Sequence, residues 1–260
     1  MDPGPIRDGL TLVAGVGTGV LSAAFGVGGA VVSTPAIRLL GVSALVAVGT
    51  TLPSIFPSAI TGTSRYAKAG LIDRRIVVWA TPPGMVAAVG GSVLSHHVPG
   101  HGHWLMIATA VLLGVTAVRM ARPRVAPLKE GEEPRPVRPG VVAAVGVLAG
   151  LMSGLLGIGG GTVMVPGFTE LAGMQVRAAI ATSLACVAIL AVPSTITHAI
   201  QHDIDWRFAL LLTLGVVPGA RLGAAAAIRA TDRRMRVAVA TFLGIVSVLY
   251  LAGEVAALVK

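Results

Sequence analysis

Apolar and polar positions along this chain do not alternate; they separate into long stretches and short islands. The apolar stretches lie at about 10–40, 42–64, 76–95 and 104–118, and again at 140–168, 176–200, 207–228 and 237–258. A helix needs roughly 20 apolar residues to cross a hydrocarbon core, and most of these stretches reach that length. A transmembrane barrel would instead show short strands with alternating character. Only helices and closed barrels satisfy the backbone inside lipid, so the pattern predicts an all-α integral membrane protein. Composition agrees: of 260 residues, 54% are hydrophobic and 12% charged, against roughly 25% charged in a soluble domain.

The pattern also repeats. Phe25-Gly26-Val27-Gly28-Gly29-Ala30-Val31-Val32-Ser33-Thr34-Pro35 returns 131 residues later as Leu156-Gly157-Ile158-Gly159-Gly160-Gly161-Thr162-Val163-Met164-Val165-Pro166. The same offset carries Gly15, Gly19 and Ala23 onto Gly146, Gly150 and Gly154, and Ala47 and Thr51 onto Ala178 and Thr182. With small gaps, Leu71-Ile72-Asp73 meets Asp203-Ile204-Asp205. A proline-rich, charged segment separates the copies and reads as a linker. The expected organisation is a first membrane repeat over 1–118, a basic cytoplasmic linker over 119–139, and a second membrane repeat over 140–260.

Loop charge decides how the copies are oriented. Four full crossings per half would place the basic loop at 229–236 on the side opposite the basic loop at 65–75 and the linker, against the positive-inside rule. An odd number of crossings per half puts all three on one side, with fourteen of the twenty Lys and Arg residues. This predicts inverted-topology repeats, a transporter architecture, with both termini on the periplasmic side. Odd crossings require broken or re-entrant helices among the first two stretches of each half. Gly26, Gly28 and Gly29, and Gly157 with Gly159 to Gly161, are dense enough to break a helix; Pro53, Pro57 and Pro193 are expected to interrupt the stretches that follow.

Other readings of the composition fail. The formal charge of +9 sits in loops, as topology requires, so a nucleic-acid partner is not expected. Cys186 is a single cysteine inside an apolar stretch and reads as a packing residue. The N-terminus lacks the basic region of a signal peptide, so the first apolar stretch is expected to remain in the mature protein. His96, His97, His101 and His103 have no tight ligand spacing around Pro99-Gly100, so no metal and no cofactor are expected.

The glycine breaks carry the candidate chemistry. A broken helix presents free N–H groups and a positive dipole end, and two such ends near the midplane would make an anion site. The candidate substrate-binding residues are Gly26, Gly28, Gly29, Gly157, Gly159, Gly160 and Gly161, with hydroxyl donors from Thr50, Thr51, Thr182 and Ser183. Gly15, Gly19, Gly146, Gly150 and Gly154 have the spacing of close helix packing instead. Arg221, a cation well inside an apolar stretch, is a further ligand candidate, with a snorkelling role as the plain alternative. His198, near the end of its stretch, is a candidate proton relay. No carboxylate is expected among the spans.

The paired Gly-x-Gly-Gly motifs, the segment Thr197-His198-Ala199-Ile200-Gln201-His202-Asp203-Ile204-Asp205-Trp206, and Pro-Gly-x-x-Leu-Gly-Ala at Pro218 to Ala224 resemble the sulfite exporter TauE/SafE family of membrane permeases. The resemblance covers nearly the whole chain. It implies a multi-pass inner-membrane transporter of a small sulfur-containing anion such as sulfite, sulfoacetate or another organosulfonate, acting as an exporter. The first half departs from the pattern, since Tyr66-Ala67-Lys68-Ala69-Gly70-Leu71-Ile72-Asp73 lacks the His and the Trp. The expected partners are the anion and the bilayer; the oligomeric state stays open, a dimer included. The alternatives are a carrier of another small ion such as a metal cation, and a membrane-embedded enzyme. The coupling is open between the substrate's own protonation, His198 and the membrane potential.

Overall fold

The computed structural model describes residues 4–95, 97–98, 103–122 and 138–259. Among these residues the fold is all helical. The first half contains α1 (Pro5–Phe25), α2 (Ala30–Leu39), α3 (Ala44–Lys68), α4 (Arg74–Ser95) and α5 (His103–Ala121); the second contains α6 (Pro139–Leu156), α7 (Gly161–Glu170), α8 (Val176–Ile200), α9 (Trp206–Arg229) and α10 (Asp232–Val259). Eight helices are long and apolar enough to cross a membrane; α2 and α7, of ten residues each, are not among them. The protein is therefore a multi-pass membrane protein.

The first stretch of each half breaks where the glycines predict. α1 ends at Gly26 and α6 at Gly157, both in the left-handed region, with the Gly amide closing on the carbonyl of Ser22 or Ser153. The second stretch does not break. α3 runs continuously through Pro53 and Pro57, and α8 through Pro193, which corrects the expectation from sequence. Each proline removes one intrahelical donor, but neighbouring helices and hydroxyls can compensate in a membrane helix. Tight packing supports the helices here: Gly49 lies against Asp203 and Gly62 against Leu184 and Ala23.

Helix pairing crosses between the halves. α1 lies along α9 and α4 along α6, through glycine seams with no room for side chains. A Cβ on Gly15 would sit 2.8 Å from the Leu212 carbonyl oxygen; Gly19 meets Val216, and Gly223 meets Val20. In the other seam Gly146 meets Ala80, Gly150 meets Gly84 and Gly154 meets Ala88. In both seams residue numbers rise together, so these pairs run parallel. Lipid supplies no hydrophobic drive for helix association, so such close backbone approach is what holds membrane helices together. α3 and α8 run antiparallel: Gly49 faces Asp203 beyond the end of α8, while Gly62 faces Leu184 near its start. α5 and α10 also run antiparallel, with Ser247 donating to Ala110 and Gly244 facing Ala117.

These pairings define two ends. At one, Arg207 bonds Asp8 and Arg7 lies over the Phe208 ring, next to the Gly41 turn after α2. At the other, Arg119 pairs with Glu170 and Arg177 with Asp232. Each short helix returns to the end from which its half began. Ile37 of α2 packs with Phe208, and Phe168 of α7 packs with Ile76 and Val142. α1–α2 and α6–α7 are thus hairpins.

Candidate transport site at the paired glycine turns

The two hairpin turns meet halfway along α3 and α8. Gly26, Gly28, Gly157, Gly159 and Gly160 all have positive φ, from 66° to 80°, a conformation that side chains disfavour. A Cβ on Gly28 would lie 2.9 Å from the Ile158 carbonyl oxygen and 3.2 Å from Gly159 Cα. One on Gly159 would lie 3.3 Å from Gly28 Cα and 3.4 Å from Val187 Cγ1, and one on Gly161 would strike the Gly26 carbonyl. The structure therefore brings the two motifs into backbone contact. From this junction α2 and α7 lead away in opposite directions, each starting at the turn. Their first intrahelical bonds come from Val32 and Ser33 to Gly29, and from Val163 and Met164 to Gly160. The amides ahead of them have no intrahelical acceptor.

The hydroxyl candidates are placed less uniformly. Ser183 Oγ lies 3.0 Å from the Gly26 carbonyl oxygen and 2.9 Å from that of Ile180, so it clasps the first turn. Thr51 Oγ1 donates to Val48, beside the Gly157 turn, and lies 3.3 Å from Thr34 Oγ1. Thr50 and Thr182 serve elsewhere: each accepts from a loop amide, Asp205 N–H at 2.9 Å and Asp73 N–H at 3.0 Å. These reciprocal bonds fix the register of α3 and α8 at an offset of 132, pairing Thr50 with Thr182 and Thr51 with Ser183. The constant offset of 131 read from the sequence pairs them one residue out, because one residue is inserted between the glycine turn and the next helix.

Arg221 is exposed, on the face of α9 away from Gly219, Ala220 and Gly223. The structure does not bring it to the turns. His198 is fully buried at the far end of α8, between Asp203 and the Gly154 carbonyl. Asp203, in the loop between α8 and α9, lies outside the spans, as its place in the sequence predicts. It falls in a polar loop in sequence, yet its side chain folds back under α8 and is 7% exposed. Of the loop histidines, His96 and His101 lie outside the described residues; His97 is exposed against the Val93 carbonyl. No group of three metal-capable side chains occurs among the described residues. Cys186 sits in the core with Leu190 and Met164.

The sequence reading missed four side chains at the turns. Thr18, Ser22, Ser153 and Thr162 carry buried hydroxyls with no hydrogen-bond partner. Ser22 Oγ and Thr18 border the position where a Gly29 Cβ would fall, and Ser22 and Ser153 are one repeat apart. Buried hydroxyls are ordinarily satisfied, so unpartnered ones beside free helix amides are ready for an acceptor. For Ser22 and Ser153 the signal was the repeat itself, a serine four residues before the first glycine of each motif; Thr18 and Thr162 are not repeated.

Span-length helices surrounding two interrupted ones, with polar groups buried where the interruptions meet, define a membrane transport protein. The chain belongs to the sulfite exporter TauE/SafE family, whose model matches residues 11–250. It is similar to the probable membrane transporter protein YunE of Bacillus subtilis, 25% identical over 239 residues that cover 83% of this chain and 87% of the relative. A probable membrane transporter protein of Xylella fastidiosa is 29% identical over 208 residues, covering 78% of each chain. The probable membrane transporter protein MJ0441 of Methanocaldococcus jannaschii is 23% identical over 261 residues, covering 93% of this chain and 94% of the relative. No solved structure matches the chain.

Proposed function

We propose that the protein is a secondary transporter that exports a small sulfur-containing anion such as sulfite, sulfoacetate or another organosulfonate, bound where the two glycine turns meet. The observation that carries this reading is the backbone contact of the two glycine turns, with the unpartnered buried hydroxyls of Thr18 and Ser22 beside the start of α2. Free amides at a helix start favour an anion, and hydroxyls can donate to its oxygens. The family's name points to sulfite. The turns close on each other in this conformation, so the anion enters as the hairpins part. No nucleophile with a base stands at the turns among the described residues, which favours a carrier over an enzyme.

The halves are read as inverted-topology repeats. The antiparallel run of α3 against α8 and of α5 against α10 supports this, as does the return of each hairpin to its own end. Arg65, Lys68, Arg74, Arg75, Arg229, Arg233, Arg234 and Arg236 fall at the end marked by the Arg177–Asp232 pair. That end is therefore cytoplasmic by the positive-inside rule, and both termini are periplasmic. An inside-negative potential then favours anion exit by roughly 2.3 kcal/mol per charge per 100 mV.

The test is efflux from proteoliposomes loaded with labelled sulfite, thiosulfate or methanesulfonate, with the potential clamped by potassium and valinomycin. The expected result is efflux of at least one of these anions that follows the imposed potential. Transport of metal ions with indifference to all three anions would overturn the reading.

A further inference from the structure

We infer that His198 and Asp203 form a binding site for a single proton that controls how tightly the second hairpin is held. The observation is a difference between equivalent positions. α1 and α6 both end inside the bundle, which leaves the carbonyls of their last turn without intrahelical donors. In the first half the Tyr66 hydroxyl, from α3, donates to the Ala23 carbonyl at 2.7 Å. In the second half the equivalent bond runs from His198 Nε2, on α8, to the Gly154 carbonyl at 3.2 Å. Tyr66 and His198 stand 132 apart, and Ala23 and Gly154 stand 131 apart. One repeat closes its hairpin with a phenol, the other with an imidazole.

The two contacts of the His198 ring can be counted for each of its protonation states. Nδ1 lies 3.1 Å from Asp203 Oδ2, and Nε2 faces a carbonyl. Both partners are acceptors, and neutral imidazole has one N–H donor, whereas imidazolium has two. Only the protonated ring donates to both. A cation also suits the C-terminal end of α6, where the helix dipole is negative, and the carboxylate leaves the buried pair with no net charge. Loss of the proton removes one of the two bonds. Asp203 keeps the remaining N–H by charge assistance, so the bond released is the one to Gly154, three residues before the Gly157 turn. The proton passes to water at the end of α8, where His202 is exposed.

Among the described residues, the helices packed on His198 carry few charged side chains. α6 has no titratable side chain, and neither does the adjoining part of α3 or α4. Nearby, Asp205 caps α9, Arg207 pairs with Asp8, Arg7 lies over Phe208, and His97 is exposed. The sign follows directly: the latch is complete while His198 is protonated at acidic pH and is lost as the pH rises.

Hydrogen–deuterium exchange on the full chain in lipid nanodiscs tests this without any anion, so absence of anion transport would leave the result standing. After correction for intrinsic exchange, peptides spanning 151–161 are expected to lose protection by about tenfold or more from acidic to alkaline pH, the scale of a charge-assisted bond. Peptides spanning 20–30 are expected to change little. His198→Gln should abolish the step, and Asp203→Asn should change the pH at which it falls. Equal protection at both pH values in the wild type would overturn the inference, as would both hairpins loosening together. Should His198→Gln fail to fold, an unmoved step in Asp203→Asn would overturn it as well.

Discussion

The two hairpins share a path through the bundle and differ in chemistry. Each leaves its long helix through a left-handed glycine, touches the other turn at the centre, and starts a ten-residue helix bearing a proline. Around this frame the side chains diverge. Tyr66 stands where the second half has His198, and Thr18 stands where it has Ala149. A Cβ on Gly29 would meet Thr18, whereas one on Gly160 would meet the Ala149 carbonyl. The backbone constrains Gly26 and Gly28 as it does Gly157 and Gly159, all left-handed, but not the next pair, where Gly29 is right-handed at a φ of −63° and Gly160 left-handed at 71°. The hydroxyls and the imidazole are where the halves can specialise, and the account places the anion on the shared frame and the proton on one half.

The largest effect should come from breaking the frame. Gly28→Val and Gly159→Val each place a side chain in the contact between the turns and force a positive-φ position, costing about 1–3 kcal/mol in strain alone. Both are expected to abolish efflux from proteoliposomes while protein remains in the membrane. Retained efflux in either would separate the junction from transport.

Next come the paired hydroxyls. Ser22→Ala and Ser153→Ala remove groups that bond nothing in the closed conformation. Each is expected to raise KM for the transported anion about tenfold, the scale of a lost hydrogen bond to a charged group, and to leave Tm unchanged or raised. A fall in Tm with unchanged KM would make them structural. Tyr66→Phe sharpens the contrast between halves. It strips the Ala23 carbonyl of its donor, costing about 1–3 kcal/mol, read as a lower Tm, with the pH dependence of protection at 151–161 retained. The smallest effect belongs to Arg221→Gln, because its side chain faces away from the junction; a change within about twofold in efflux is expected of a snorkelling arginine. A large loss there would restore it as a ligand.

Most of this frame could be read from the sequence because glycine and apolar length are local signals. The break at Gly26 and Gly157 follows from glycine density, and the seams of Gly15 and Gly146 from small-residue spacing. What could not be read was set by packing. The prolines of α3 and α8 look like breaks until the neighbouring helices are seen to hold the helix continuous. Arg221 looks buried in an apolar run, but its place on the turn of α9 points it outward. Asp203 looks like a loop acid, and only the chain reversal after Gln201, with His202 at a φ of 61°, brings it under His198. Helix facing and loop return are tertiary facts, and a one-dimensional pattern records them only through a repeat, as Ser22 and Ser153 show.

The central claim is that the anion sits between the turns, and substrate protection tests it most directly. Ser22→Cys, Ser153→Cys and Arg221→Cys, each in a Cys186→Ala background, would be labelled in proteoliposomes with a small thiol reagent, with and without saturating transported anion. The account predicts slower labelling at positions 22 and 153 and an unchanged rate at 221. Unchanged labelling at both serine positions while the anion is still transported would contradict it.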